Sequence, residues 1–271
     1  MTTIGSLFAG IGGLELGAEM ALRAARMAPC VLWQVERDAF CRGVLTRHWP
    51  DADRTVTDVC ADGALLLPRV DIIVGGPPCQ DISGAGEQEG LHGARSGLLF
   101  RYLQIVRALR PPLVIAENVR SGAWRSWLGA ASCGLRSAGY RVNAVEIHAA
   151  DVGAPHQRAR IFVVGHAERA GLEGAKRPCA PRLAPPSRST DNAGEPQPVA
   201  EPRVVRGTDG LPVGLDIPHR WPAGRGEGQQ GWEPARTVGK GQPQRRARVK
   251  ALGNAVVPAV AEQVMAWALA L

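Results

Sequence analysis

A chain of 271 residues, 45% apolar and 21% charged, has the composition of an ordinary globular protein and the length for one well-cored domain with a modest appendage. That excludes a fibrous repeat, wholesale disorder and a large two-domain enzyme. The formal net charge is +7, and residues 166–250 hold 15 Lys and Arg against 9 Asp and Glu, leaving 17 against 16 elsewhere, so the basic excess sits in one segment. Such a segment suits a polyanion and equally a solvated loop region.

No uninterrupted apolar run reaches the roughly 18 to 20 residues of a membrane span, and the start MTTIGSLFAGIGG lacks the basic region and long apolar run of a signal peptide. A soluble, cytoplasmic protein without membrane contact is expected. The six cysteines, Cys30, Cys41, Cys60, Cys79, Cys133 and Cys179, form no CxxC pair or zinc-ligand spacing, so neither a metal site nor a disulfide framework is expected and reduced thiols fit.

In chain order, apolar runs at Thr3–Phe8, Val31–Val35, Asp71–Val74, Leu113–Ala116 and Ile161–Val164 predict strands, and Leu14–Arg26, Asp38–His48 and Gly97–Leu109 carry helical periods. The alternation predicts an α/β fold with a mainly parallel, doubly wound sheet. After His166 the composition changes: 12 of the 21 prolines lie in residues 166–250, which predicts an irregular lobe. From Val256 a helical pattern returns, with Pro258 in its first turn and Val260, Val264, Trp267 and Leu271 spaced to bury one face. The organisation expected is a binding domain over 1–166, a Pro/Gly/Arg-rich lobe over 167–247 and a segment over 248–271 that returns to the first domain.

The first predicted strand runs into Phe8-Ala9-Gly10-Ile11-Gly12-Gly13 and a helix, so backbone without Cβ atoms lies where a ligand cradle would. The third glycine of a dinucleotide fingerprint would fall at Glu15, which disfavours pyrophosphate and suits a nucleoside without a charged tail. Glu36, at the next strand end, can accept from ribose hydroxyls, and Asp58 from an adenine amino group. A tight structural turn and helix capping are the structural alternatives.

Gly75-Gly76-Pro77-Pro78-Cys79-Gln80 then places a thiol on a rigid loop at the carboxyl end of a strand. A lone cysteine is usually a small buried hydrophobe, but this setting makes Cys79 the candidate nucleophile. Glu117 directly follows four apolar residues, where a carboxylate caps a helix or addresses a ligand. Arg158 and Arg160 precede an apolar strand, and alternation sends both to one side of the backbone, for a ligand, a phosphate or a surface ion pair.

These residues resemble a known family, the bacterial and phage cytosine-5 DNA methyltransferases. The blocks SLFAGIGGLELG, Glu36 and Asp58, GGPPCQDISGAG, ARSGLLF, ENV, PHQRARIFVVG and ALGNAVVP occur in family order over residues 3–165 and 248–265. The resemblance implies a class I methyltransferase, Rossmann-like doubly wound sheet with a small irregular target-recognition lobe, and S-adenosylmethionine as methyl donor without a metal. It implies donor contacts from Phe8, Gly10, Ile11, Gly12, Gly13, Glu36, Arg37, Asp58, Val59, Pro78, Leu99, Asn254 and Ala255.

By the same resemblance, Cys79 attacks carbon 6 of a cytosine rotated out of duplex DNA, Glu117 holds or supplies a proton at ring nitrogen 3, and Arg160, with Arg158, faces the carbonyl oxygen at position 2. The loop from Asp81 to about Gly93 would close over DNA. Gln80 and Ser83 there, and Arg220, Arg225 and Arg236 in the lobe, would meet DNA. His156 stands where the family commonly has Gln, Ile82 where it has an aromatic and Ala255 where it often has Ser. A monomer, with a restriction endonuclease as a possible cognate partner, is expected. The alternatives are a non-catalytic DNA-binding homologue and an RNA (tRNA) cytosine-5 methyltransferase.

Overall fold

Strands apolar on both faces form a sheet that must be covered by helices above and below. The computed structural model describes residues 1–78, 97–120, 122–168, 204–206, 228, 231 and 243–271, and its centre is a seven-stranded sheet. In chain order the elements are β1 (Thr2–Leu7), α1 (Gly13–Ala24), β2 (Pro29–Val35), α2 (Ala39–His48), β3 (Ile72–Gly75), α3 (Gly97–Leu109), β4 (Leu113–Val119), α4 (Trp124–Ser137), β5 (Tyr140–Ile147), β6 (Arg160–Ala167), β7 (Val204–Arg206), α5 (Arg245–Asn254) and α6 (Pro258–Ala270).

The strand order is β2-β1-β3-β4-β6-β5-β7. Strands β2, β1, β3 and β4 are parallel, β6 is antiparallel to both its neighbours, and β7 runs parallel to β5. From β1 the chain steps outward to β2 and then returns to β3 on the other side. This switch point opens a crevice at the carboxyl ends of β1 and β3, where ligands bind in sheets of this type.

Each face has its own core. Trp33, Ile73, Tyr102, Ile105, Trp127 and Leu135 pack on the side of α3 and α4. Ile4, Leu22, Ile72, Phe162, Val264 and Met265 pack on the side of α1 and α6. Helices α1 and α6 approach closely because Gly17 has no side chain: a Cβ there would lie 2.4 Å from the Pro258 carbonyl oxygen and 2.5 Å from the Ala261 Cβ.

Among the described residues one helical stretch, Arg245–Ala270, has the length and apolarity of a membrane span. It is two helices separated at Ala255–Val257, and the apolar half, α6, buries Val260, Val264, Met265 and Trp267 in the core facing α1.

The expected sheet is present, with three differences. Tyr140–Ile147 adds a strand, Trp124–Ser137 adds a helix, and β6 reverses the expected parallel run by pairing antiparallel between β4 and β5. The expected boundary after residue 247 cuts α5, which begins at Arg245, and most of the expected lobe lies outside the described residues. Leu271 falls beyond the end of α6 and is exposed, unlike Val260, Val264 and Trp267. Cys30, Cys41 and Cys60 are free, whereas Cys133 is disulfide-bonded, a departure from the expectation of reduced thiols throughout.

Candidate functional site

The crevice begins where β1 stops. Phe8 at φ 57° ends the extended run, and Gly10 at φ 58° and Gly12 at φ 89° turn the chain into α1 through left-handed conformations that glycine adopts without strain. The glycines serve different purposes. A Cβ at Gly12 would lie 2.3 Å from the Trp49 ring, and one at Gly13 would lie 2.3 Å from the Val256 carbonyl oxygen, so those two permit close internal packing. At Gly10 a Cβ would meet nothing within 4 Å: this glycine faces open space.

That space belongs to a cavity of about 790 Å³, lined by Phe8, Gly10, Glu36, Pro78, Glu117, Arg160 and Asn254 among others. Small-molecule sites commonly hold roughly 300 to 1,000 Å³. Glu36 arrives from the end of β2, and its two carboxylate oxygens accept the Gly10 N–H at 2.8 Å and the Asp38 N–H at 2.7 Å. The carboxylate thereby fixes the glycine turn and keeps lone pairs for a hydroxyl-bearing ligand. Asp38 caps α2, accepting from the Phe40 and Cys41 N–H groups at 2.9 and 3.2 Å, and takes a further bond from the Lys250 ammonium at 3.1 Å.

The same cavity is lined by Glu117, 8% exposed near the end of β4. Its Oε1 is 2.8 Å from the Arg160 Nε at the start of β6. Burial pushes the Glu117 carboxyl up to about 7, against the opposing pull of the Arg160 and Arg158 guanidinium groups. A carboxyl poised there can hold or release a proton near neutral pH. The next residue, Asn118, donates through Nδ2 to the Pro77 carbonyl at 3.2 Å, which ties the loop leading to Pro78 onto β4. Cys41 also lines the cavity, but burial and the nearby Glu36 and Asp38 push its thiol up to about 11, so it stays protonated and unreactive at neutral pH.

Other residues singled out from the sequence lie outside the lining of this cavity. Arg158 precedes β6 at φ 39°, outside the strand's alternation, and its charge acts on Glu117 and Arg160 without a hydrogen bond to Glu117 such as Arg160 makes. The Arg158 Nη2 donates to the carbonyls of Gly253 and Ala255 and clamps the junction of α5 and α6. Ile11, Gly12, Gly13, Arg158 and Ala255 line a second cavity of about 510 Å³, together with His156 and Trp49. Arg37, Asp58, Val59 and Leu99 line neither. Arg37 and Asp58 form a loose ion pair at 3.9 Å, Asp58 accepts the Cys60 N–H at 2.9 Å, and Val59 and Leu99 are core residues. Cys79, Gln80, Ser83, Arg220, Arg225 and Arg236 lie outside the described residues, as does the Asp81–Gly93 loop.

Of the part of the lining that α5 supplies, sequence reasoning found Asn254 and missed Ala247, Lys250, Ala251 and Gly253. It also missed Asp38 as a polar member of the cavity and Asn118 as the anchor of the Pro77 carbonyl. The ENV block was a signal for Asn118, since it follows Glu117 directly. A further buried carboxylate, Glu146 on β5, is held by Arg120 at 2.5 Å and lies 3.4 Å from His148.

The family model described as C-5 cytosine-specific DNA methylase matches residues 2–198. The type II methyltransferase M.AquIA of Picosynechococcus is 33% identical over 180 residues, covering 59% of this chain and 70% of that protein. M.NlaX of Neisseria lactamica is 34% identical over 169 residues, covering 61% of this chain and 52% of that one, and M.FnuDI of Fusobacterium nucleatum is 30% identical, covering 59% and 45%. The chain thus spans about half the length of the latter two. In fold it is similar to a mutant form of Spodoptera frugiperda DNMT2, with a TM-score of 0.50 at 16% identity, covering 66% of this chain and 54% of that one.

Proposed function

The chain belongs to the C-5 cytosine-specific DNA methylase family, and on that premise we propose that it methylates carbon 5 of a cytosine within a short duplex DNA sequence, using S-adenosylmethionine. The observation that carries this reading is one cavity into which Gly10, Glu36, Pro78, Glu117 and Arg160 all open. Bound there, S-adenosylmethionine supplies an electrophilic methyl group. Phe8, Gly10, Glu36 and Asn254 would hold it, with Glu36 the group suited to hydroxyls.

Carbon 5 of cytosine is a weak nucleophile until a thiolate adds to carbon 6 and makes the ring an enamine. Cys79, one residue beyond Pro78, is the thiol assigned to that addition. Glu117, titrating near 7, donates a proton at ring nitrogen 3 as the bond forms, so that negative charge does not build on the ring. Arg160 orients Glu117 and offers positive charge to the carbonyl at position 2. Once carbon 5 has taken the methyl group, a base removes the carbon 5 proton, the thiolate departs from carbon 6 and the nitrogen 3 proton returns to Glu117, which restores the ring. Arg158 acts at a distance in this scheme, by holding the α5–α6 junction beside Asn254.

These ring atoms are inaccessible in a stacked duplex, so the target nucleotide must be rotated out. The residues between β6 and α5 are assigned to target recognition, and the protein to action as a cytoplasmic monomer, with or without an endonuclease of the same specificity. Methyl transfer from labelled donor to duplex DNA and to tRNA, followed by nucleoside digestion, tests the function. Label in 5-methyldeoxycytidine is expected; label confined to tRNA, or on an exocyclic amine, overturns it.

A further inference from the structure

Helix α5 is unlike the other helices of the domain. Its sequence RRARVKALGN holds Arg245, Arg246, Arg248 and Lys250 with no acidic residue, and Ala251 is its only buried side chain. The three arginines crowd its amino-terminal part, where the helix dipole disfavours positive charge. Neither core packing nor helix stability accounts for this arrangement.

The helix has two working faces. Ala247, Lys250, Ala251 and Asn254, spaced three and four residues apart, line the same cavity as Glu117 and Arg160. Arg248 turns to a separate groove of about 480 Å³ between α5 and α2, shared with Arg47 at the end of α2. Exposed Arg245 and Arg246 beside a groove that Arg47 also lines gather guanidinium groups from two helices, a chemistry complementary to phosphate.

A continuous set of polar contacts joins α5 to the glycine turn. Lys250 bonds to Asp38 at 3.1 Å, the Asp38 N–H donates to Glu36 at 2.7 Å, and Glu36 also accepts the Gly10 N–H at 2.8 Å. At its other end α5 is fixed by the Arg158 bonds to Gly253 and Ala255. Little apolar burial opposes movement of the helix between these two attachments.

We infer that α5 couples the two substrates: its arginine face takes backbone phosphates of duplex DNA next to the target nucleotide, and this seats its inner face over the donor bound at Glu36 and Gly10. The inference rests on the function proposed above and adds a location for the coupling. Linkage makes it reciprocal, so DNA raises donor affinity by the same factor that donor raises DNA affinity.

The test uses the full chain and the double variants R245Q/R246Q and R245K/R246K. DNA affinity is measured across a salt series, and affinity for S-adenosylhomocysteine with and without duplex DNA. The glutamine variant should lower the slope of log affinity against log salt by about 2, since each phosphate neutralised contributes roughly 0.9. Its donor-site affinity without DNA should match wild type, while the enhancement by DNA, about fivefold or more in wild type, should fall below about twofold. The lysine variant should retain slope and enhancement. An unchanged slope or an unchanged enhancement in R245Q/R246Q overturns the inference while wild-type methylation leaves the proposed function standing. A wild-type chain that neither binds nor methylates duplex DNA overturns both.

Discussion

Replacing Glu117 by Gln gives a stability signature that follows from burial alone. The carboxyl is raised from 4.5 to about 7, mainly by desolvation, so the ionised form is disfavoured in the folded protein relative to the unfolded chain. A group raised in this way contributes stability that is fully present below the unfolded value and is lost as pH rises through the folded one. Across the whole window the shift corresponds to about 3 kcal/mol, and between pH 5 and pH 8 to roughly 2 to 3 kcal/mol. At pH 5 the wild-type side chain is largely neutral and Gln imitates it, so both proteins should unfold at similar urea concentrations. At pH 8 the wild type carries a buried carboxylate that Arg160 only partly offsets, and Glu117→Gln should be the more stable by roughly 2 to 3 kcal/mol. Taking the difference between variants cancels every other titrating group that the substitution does not touch. Urea unfolding at the two pH values measures it. A wild-type-to-variant difference that is the same at both would refute the claim that Glu117 titrates near neutrality.

Three further expectations address other parts of the site. Glu36→Ala removes the acceptor of the Gly10 and Asp38 N–H groups and should weaken donor binding by tenfold or more in calorimetry, with secondary structure unchanged by circular dichroism. Arg158→Met should weaken donor binding with little direct effect on the chemical step, because its bonds go to Gly253 and Ala255; a fall in single-turnover rate at saturating donor with unchanged donor affinity would instead put the guanidinium on the cytosine. Gly17→Ala gains about 1 kcal/mol of helix propensity but drives a methyl to 2.4 Å from the Pro258 carbonyl oxygen, and should be destabilised by about 1 to 3 kcal/mol net in thermal unfolding.

The strands bearing the site were legible because each is an apolar run ending in a turn or charge signal: the glycines from Gly10 after β1, Glu36 after β2, Gly76-Pro77-Pro78 after β3 and Glu117 within the end of β4. Helix α4 was obscure because WRSWLGAASCGLRS mixes Trp, Ser and Gly, which are modest helix formers, and its order comes from burying Trp127, Leu128 and Leu135. Strand β5 was hidden by Glu146, a buried carboxylate in an otherwise ordinary strand whose partner, Arg120, lies 26 residues earlier. The split between Arg158 and Arg160 depends on the left-handed conformation at Arg158, which no side-chain period encodes. Asp58 and Leu99 stand in family blocks; Asp58 accepts a backbone N–H within a turn and Leu99 packs in the core, and neither lines the two cavities. Of the α5 residues lining the cavity only Asn254 was legible, and the place of Lys250 was not, since it depends on a contact with Asp38, 212 residues away.

Covalent trapping tests the central claim most directly. Duplex DNA carrying 5-fluorocytosine at the target position, incubated with the protein and S-adenosylmethionine, should give a complex that survives denaturation, with the modified base attached to the peptide containing Cys79, because fluorine blocks the elimination that frees the thiol. Normal formation of 5-methylcytosine on unmodified duplex without any such adduct on the fluorinated one, or an adduct at another cysteine, would contradict the assignment.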